Sequence, residues 1–146
     1  MDGILTGRPA EAAAREWLDA FGAALASGSA PALAGLFAEV CHWRDILAFS
    51  WNLRTTSGAA AIAGRLAPAA ARVRARGVAL AGDRTPPRLV TRAGTEAVEA
   101  IFAFETETGP CNGVVRLVKE GGAPRAWTLM TALDEIRGHE DPANGK

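Results

Sequence analysis

The spacing of apolar residues is mostly helical before Gly77 and strand-like beyond it, and that difference limits the fold more than any other feature. Before it, Ala14, Trp17, Leu18, Phe21 and Leu25 recur at three- and four-residue steps, the period of one helix face. The pattern predicts an amphipathic helix over residues 9–26. Pro9 stands where a helix start tolerates proline, and Glu11 falls in the first turn, at the positive end of the helix dipole. Gly28 closes that helix, and Ser29 with Pro31 opens a short second one through Leu36. Residues 40–47 switch to a strand-like reading. Ser57-Gly58 begins a third helix over 59–76, which Pro68 should kink or divide and which Gly77 ends. Beyond it the period shortens to two, in segments over 88–93, 97–106, 113–119 and 126–135 separated by Gly- and Pro-containing turns. Helices first and antiparallel strands afterwards define an α+β domain, most simply a curved sheet wrapped around three N-terminal helices. Residues 1–137 read as one domain and 138–146 as a loose polar tail.

Composition narrows the function classes. The chain has 146 residues, 49% of them hydrophobic, which excludes a largely disordered polymer. Its 16 basic and 16 acidic residues balance, which argues against a nucleic-acid or anionic-membrane binder. Cys41 and Cys111 form no disulfide framework or zinc pattern, so a cytoplasmic setting is the expectation. The first residues lack the basic and apolar regions of a signal peptide. The uncharged run over 20–38 is interrupted at Ser27-Gly28-Ser29-Ala30-Pro31, so it reads as helix, turn and helix and not as a membrane span.

The segment from Cys41 to Thr55 carries most of the chemical information, with two of the four tryptophans, a histidine and a carboxylate. Strand alternation puts Cys41, Trp43 and Asp45 on one face, and His42 and Arg44 on the other. If the first face looks inward, Asp45 lies beside an indole and is a candidate general base or acid. The alternative is that Asp45 only ends the strand, pairing with Arg44, Arg54 or a backbone amide. Trp17 and Phe102 are candidates for an aromatic pocket wall, although core packing also explains them. Arg116, among valines and leucines, needs a partner if buried. Glu99 or Glu105 would make a structural pair, and a ligand anion would make Arg116 a clamp. Arg72, Arg74 and Arg76 read as a solvated helix end. Cys111 reads as a turn residue with nothing to activate its thiol.

Helix 9–26, the junction Leu36-Phe37-Ala38-Glu39, the strand ending in Asp45, the helix after Ser57-Gly58 and the later strands together resemble the NTF2-like (SnoaL-like) superfamily over residues 10–137. The resemblance implies an NTF2-like cone whose sheet and helices enclose a pocket, with subunits pairing through the sheet as a homodimer. Trp43-Arg44-Asp45, the run from Ala48 to Thr55 and the ending from Trp127 to Glu135 look like the NTF2-like region that precedes the flavoprotein part of flavin-containing monooxygenase-like proteins. That narrower likeness implies a flavoprotein partner. No Gly-x-Gly-x-x-Gly follows a strand, so the chain carries no dinucleotide fingerprint, and the expectation is a domain without a cofactor. In the related ketosteroid isomerases an aspartate at the end of the corresponding strand shuttles a proton, and Asp45 takes that position. The tyrosine and late-strand acid of their oxyanion hole have no counterpart here, since the chain contains no tyrosine.

What the resemblance implies is a domain that binds a small apolar organic molecule around Asp45, accessory to a flavin monooxygenase. The alternative is a cofactor-independent isomerase, cyclase or lyase with Asp45 as general base or acid. In either case Trp17, Trp43, Trp51, Asn52, Arg54, Phe102 and Arg116 are the expected ligand-binding residues. Trp51 would be a stacking wall at the pocket mouth, Asn52 a hydrogen-bonding amide, and Arg54 a cation for developing negative charge.

Overall fold

Three helices pack on one face of a curved, mixed, seven-stranded sheet. The computed structural model describes residues 8–50 and 54–134, with Arg8 and Arg54 described by their backbone alone. In chain order the elements are α1 (Arg8–Ser27), α2 (Ala30–Ala34), β1 (Phe37–Ile46), β2 (Arg54–Ser57), α3 (Ala59–Val73), β3 (Arg76–Leu80), β4 (Arg88–Arg92), β5 (Thr95–Glu105), β6 (Pro110–Glu120) and β7 (Ala123–Leu133). The sheet runs β2-β1-β7-β6-β5-β3, with β4 also paired to β5. All pairings are antiparallel except that of β1 with β7.

Local chemistry accounts for most of these elements. Ser29 caps α2, its hydroxyl accepting the Ala32 N–H at 3.2 Å. The β6–β7 hairpin closes through Gly121 and Gly122, both with positive φ (60° and 79°), the geometry of a two-residue turn that suits the twist of its strands. The aromatic core is built by α1 and the sheet together. Trp17 stacks on Phe21 with centroids 4.7 Å apart, meets Phe37 edge-on, and donates its indole N–H to the Leu36 carbonyl at 2.8 Å.

The structure departs from the sequence reading in four places. α3 is not divided at Pro68: Ile62, Ala63, Leu66, Ala67, Ala69 and Ala70 are buried along it, and that tertiary packing holds the helix through the missing N–H. Nor does Gly77 end α3. The helix stops at Arg74, in the left-handed conformation with φ 57°, and residues 76–80 already form β3. β2 and β3 carry no clean alternation, since β2 is the polar run Arg-Thr-Thr-Ser and β3 has no fully buried residue. Their pairing with β1 and β5 makes them strands. Cys111 lies within β6, buried, and not in a turn.

Two cross-strand rows on the inner face fix the neighbours of Trp43 and Asp45. Trp43 is level with Leu129, Val115 and Ala100, and Asp45 is level with Thr131, Gly113 and Phe102. Gly113 is required in that second row. A Cβ there would lie 2.3 Å from Phe102 Cζ and 2.8 Å from the Met130 carbonyl oxygen, so the bare backbone leaves the place that the phenyl ring fills.

Candidate functional site

The alternation of β1 delivers Trp43 and Asp45 to the interior, 5% and 2% exposed, while His42 and Arg44 face outward. Immediately after β1 the chain turns sharply, with Leu47 at φ 68°, a conformation that costs a branched side chain on the order of 1–2 kcal/mol. Asp45 holds this turn in place. Its Oδ1 accepts the N–H groups of Ala48 and Phe49, both at 3.2 Å, and the Thr131 hydroxyl at 2.7 Å. Its Oδ2 accepts the N–H groups of Phe49 and Ser50, both at 3.0 Å, with the Ser50 hydroxyl at 3.4 Å. A carboxylate offers about four lone-pair sites, and here each is met by a donor. Among the described residues, a nest of backbone N–H dipoles and two hydroxyls surrounds the Asp45 carboxylate, with no cation within ion-pair distance. Thr131 in turn accepts the Trp43 indole N–H at 3.0 Å, so indole, hydroxyl and carboxylate form one buried chain.

Beside this chain lies a cavity of about 320 Å³, between α3 on one side and β1, β2 and the loop after β1 on the other. Trp43 and Phe49 meet edge to face at 5.7 Å and, with Pro68 and Ala69 of α3, give it apolar walls. Thr56 and Ser50 add hydroxyls, and Arg65 and Arg72 add cations. Arg72 Nη2 donates to the Phe49 carbonyl at 2.9 Å, tying the loop to α3. Phe49, Ser50 and Arg72 also border a second hollow of about 280 Å³, together with Leu47, Ala48, Val73 and Thr108. Gly64 opens the α3 wall, since a Cβ there would meet nothing within 4 Å.

Of the residues expected from sequence to form the site, Asp45 and Trp43 line this cavity together. Trp17 and Phe102 do not line it: Trp17 is locked into the α1 core, and Phe102 packs between Phe21 and Phe104. Arg116 is on the opposite face of the sheet, where its Nε donates to Glu99 Oε2 at 3.0 Å, one of the two structural partners expected for it. Arg88 and Arg92 share the same carboxylate. Burial pushes the Glu99 carboxyl upward, but hydrogen bonds from Arg116 and Arg88 and the charges of Arg116 and Arg92 outweigh it, and Glu99 titrates below the usual range. Trp51 and Asn52 lie outside the described residues, as does the Arg54 side chain; the Arg54 backbone pairs level with Asp45.

Sequence reasoning missed Thr56, Arg65, Pro68 and Thr131, and it placed Arg72 on a solvated helix end. Arg65, Pro68, Ala69 and Arg72 are spaced three, four and seven residues apart, one stripe of a helix, and that spacing was the available signal. Thr131 gave none, because its place beside Asp45 comes from strand pairing across 86 residues.

No family model and no curated protein matches the chain. Solved structures do. An NTF2-like protein with a cystatin-like fold from Novosphingobium aromaticivorans superposes with a TM-score of 0.57 at 19% identity, over 89% of this chain and 86% of that one. The chain has the NTF2-like, cystatin-like fold. A domain of unknown function with a cystatin-like fold from Nostoc punctiforme gives a TM-score of 0.64 at 15% identity, over 91% of this chain and 82% of that one. A Bacillus subtilis protein whose name proposes, without asserting, an isomerase gives 0.53 at 18% identity, over 80% of this chain and 83% of that one. At these identities the likeness extends to the fold alone, because NTF2-like folds carry many functions. No helix among the described residues is long and apolar enough to cross a membrane.

Proposed function

We propose that this NTF2-like domain binds a small, mostly apolar organic molecule in the cavity between α3 and β1. The observation that carries the reading is the state of Asp45. A general base needs a lone pair turned toward substrate, and both oxygens of Asp45 already accept donors from the loop and from Thr131. Asp45 then serves as the post that holds Phe49 and the loop against the cavity. Its volume of about 320 Å³ is at the small end of ligand sites, and its walls combine aromatic and aliphatic surface with a few polar groups.

The test uses the opening at Gly64. A tryptophan there projects into free space and replaces a poor helix former, so Gly64→Trp should fold while filling the cavity. Titration of the purified chain with 2-naphthalenemethanol, followed by tryptophan fluorescence, should show saturable binding that weakens at least about tenfold in Gly64→Trp. Equal binding by both proteins would end the reading.

The enzyme reading, with Asp45 as the base of an isomerase, cyclase or lyase, would require the loop to release one carboxylate oxygen when substrate enters. A flavin monooxygenase partner is supported by the sequence likeness of the run from Trp43 to Thr55 and of the ending from Trp127 to Glu135; co-purification with a flavoprotein encoded beside this chain is its test. For self-association, the support is on the outer sheet face, where Ile101, Val114 and Met130 form one cross-strand row and Met130 is 40% exposed. Two copies paired through that row would give a dimer by light scattering, and Met130→Glu would return it to monomer.

A further inference from the structure

We infer that the cavity selects an apolar molecule ending in a carboxylate, held at the mouth by Arg65 and Arg72. This rests on the binding reading above and names its ligand class. Arg65 and Arg72 are seven residues apart on α3, two turns of one stripe, so their backbones stand roughly 10 Å apart along the same wall. Pro68 and Ala69 lie between them and present only carbon to the cavity.

Several arginines near the sheet and helix ends are held by carboxylates. Arg74 pairs with Glu107, Arg76 with Glu105, and Arg88, Arg92 and Arg116 with Glu99. Arg65 and Arg72, like Arg44, Arg84 and Arg125, are in no ion pair among the described residues; what sets Arg65 and Arg72 apart is that they line the cavity. Arg72 gives one N–H to the Phe49 carbonyl, out of the five donors that a guanidinium carries. Among the described residues the carboxylate lining the cavity is Asp45, and its oxygens accept the loop amides and the Thr131 hydroxyl. Among the described residues the cavity thus has an apolar interior bounded by Trp43 and Phe49, and a rim with two cations that meet no carboxylate.

A ligand with a flat apolar body and one anionic end satisfies both parts, the body against the rings and the carboxylate in the planar fork of an arginine. A cationic end would meet like charge. A neutral end would bury the same body without the rim interaction. Both arginines are exposed, so solvent screens the pair and the expected selectivity is modest, about tenfold.

Three ligands of one shape separate the possibilities: 2-naphthoate, 2-naphthalenemethanol and 2-naphthylmethylammonium. Each is titrated into the purified wild-type chain, Arg65→Gln, Arg65→Gln with Arg72→Gln, and Gly64→Trp, at low and at high salt. Naphthoate should bind wild type about tenfold tighter than the alcohol, and the ammonium should bind weakest. The preference should shrink with added salt and move toward one in the arginine variants. Because Arg72 also braces the loop, the Arg65→Gln single variant decides if the double variant does not fold. Alcohol and carboxylate binding equally, with both lost in Gly64→Trp, overturns the anion inference and leaves the binding reading standing. A preference for naphthoate that survives in Arg65→Gln and in the double variant overturns it as well. Binding that Gly64→Trp does not weaken, or no binding of any of the three, overturns both.

Discussion

The Thr131 hydroxyl donates to Asp45 Oδ1 at 2.7 Å while accepting the Trp43 indole N–H at 3.0 Å, so one rotor on β7 satisfies two buried groups on β1. Valine at this position keeps the shape and removes both hydrogen bonds. The indole N–H and one carboxylate oxygen would then be buried without that partner. Thr131→Val should lower stability by about 3 kcal/mol in urea unfolding, and Thr131→Ser should restore most of it. A valine variant as stable as wild type would show that the chain from Trp43 to Asp45 contributes nothing.

Gly113→Ala should destabilise by about 3 kcal/mol, at the upper end of ordinary overpacking. The new methyl would meet the Phe102 ring, which can shift only into other core side chains, and the Met130 carbonyl, which is backbone of the paired strand. Thermal unfolding of the alanine variant measures this. A change within experimental error would mean that Phe102 has another rotamer available.

Glu99 makes stability depend on acid in a definite direction. Its carboxyl is depressed in the folded state, so its contribution is present above the unfolded-chain value and is lost as pH falls through the folded one. The partners are partly exposed, so the contribution is about 1 kcal/mol. Wild type should therefore exceed Glu99→Gln in Tm at neutral pH, and the gap should narrow once the pH falls below about 4. A gap independent of pH would separate the arginine cluster from the ionisation of Glu99.

The two thiols should be inert in the native protein. Burial pushes Cys111 up to about 11 against a smaller opposing hydrogen bond from Thr106, and burial raises Cys41 against the Gly58 N–H. At about pH 8 neither is a thiolate, and each is 1% exposed, so a disulfide reagent should label them only after denaturation. Rapid labelling of the folded chain would reveal opening of the sheet around β6 or β1.

Part of the cavity lining was legible in the sequence. A strand reads in steps of two, so Trp43 and Asp45 share a face by sequence alone, while burial of that face is shown by the structure. The helices, β1 and the four later segments come from periods of the same local kind. Beyond that range, tertiary structure decided. β2 and β3 became strands because a neighbour pairs with them, and Pro68 stays inside α3 because the helix is packed on one side. Arg116 belongs to Glu99 on the outer face, and Arg72 to the cavity rim.

What the sequence determined by itself was which way each side chain faces along its own element, because that depends on backbone geometry over a few residues. What only the tertiary structure decided was which elements face one another. The parallel pairing of β1 with β7 brings Thr131 to Asp45, and the packing of α3 over β1 turns an arginine stripe and an aromatic pair into two walls of one cavity. Such contacts join residues far apart in the chain, and no local period encodes their register.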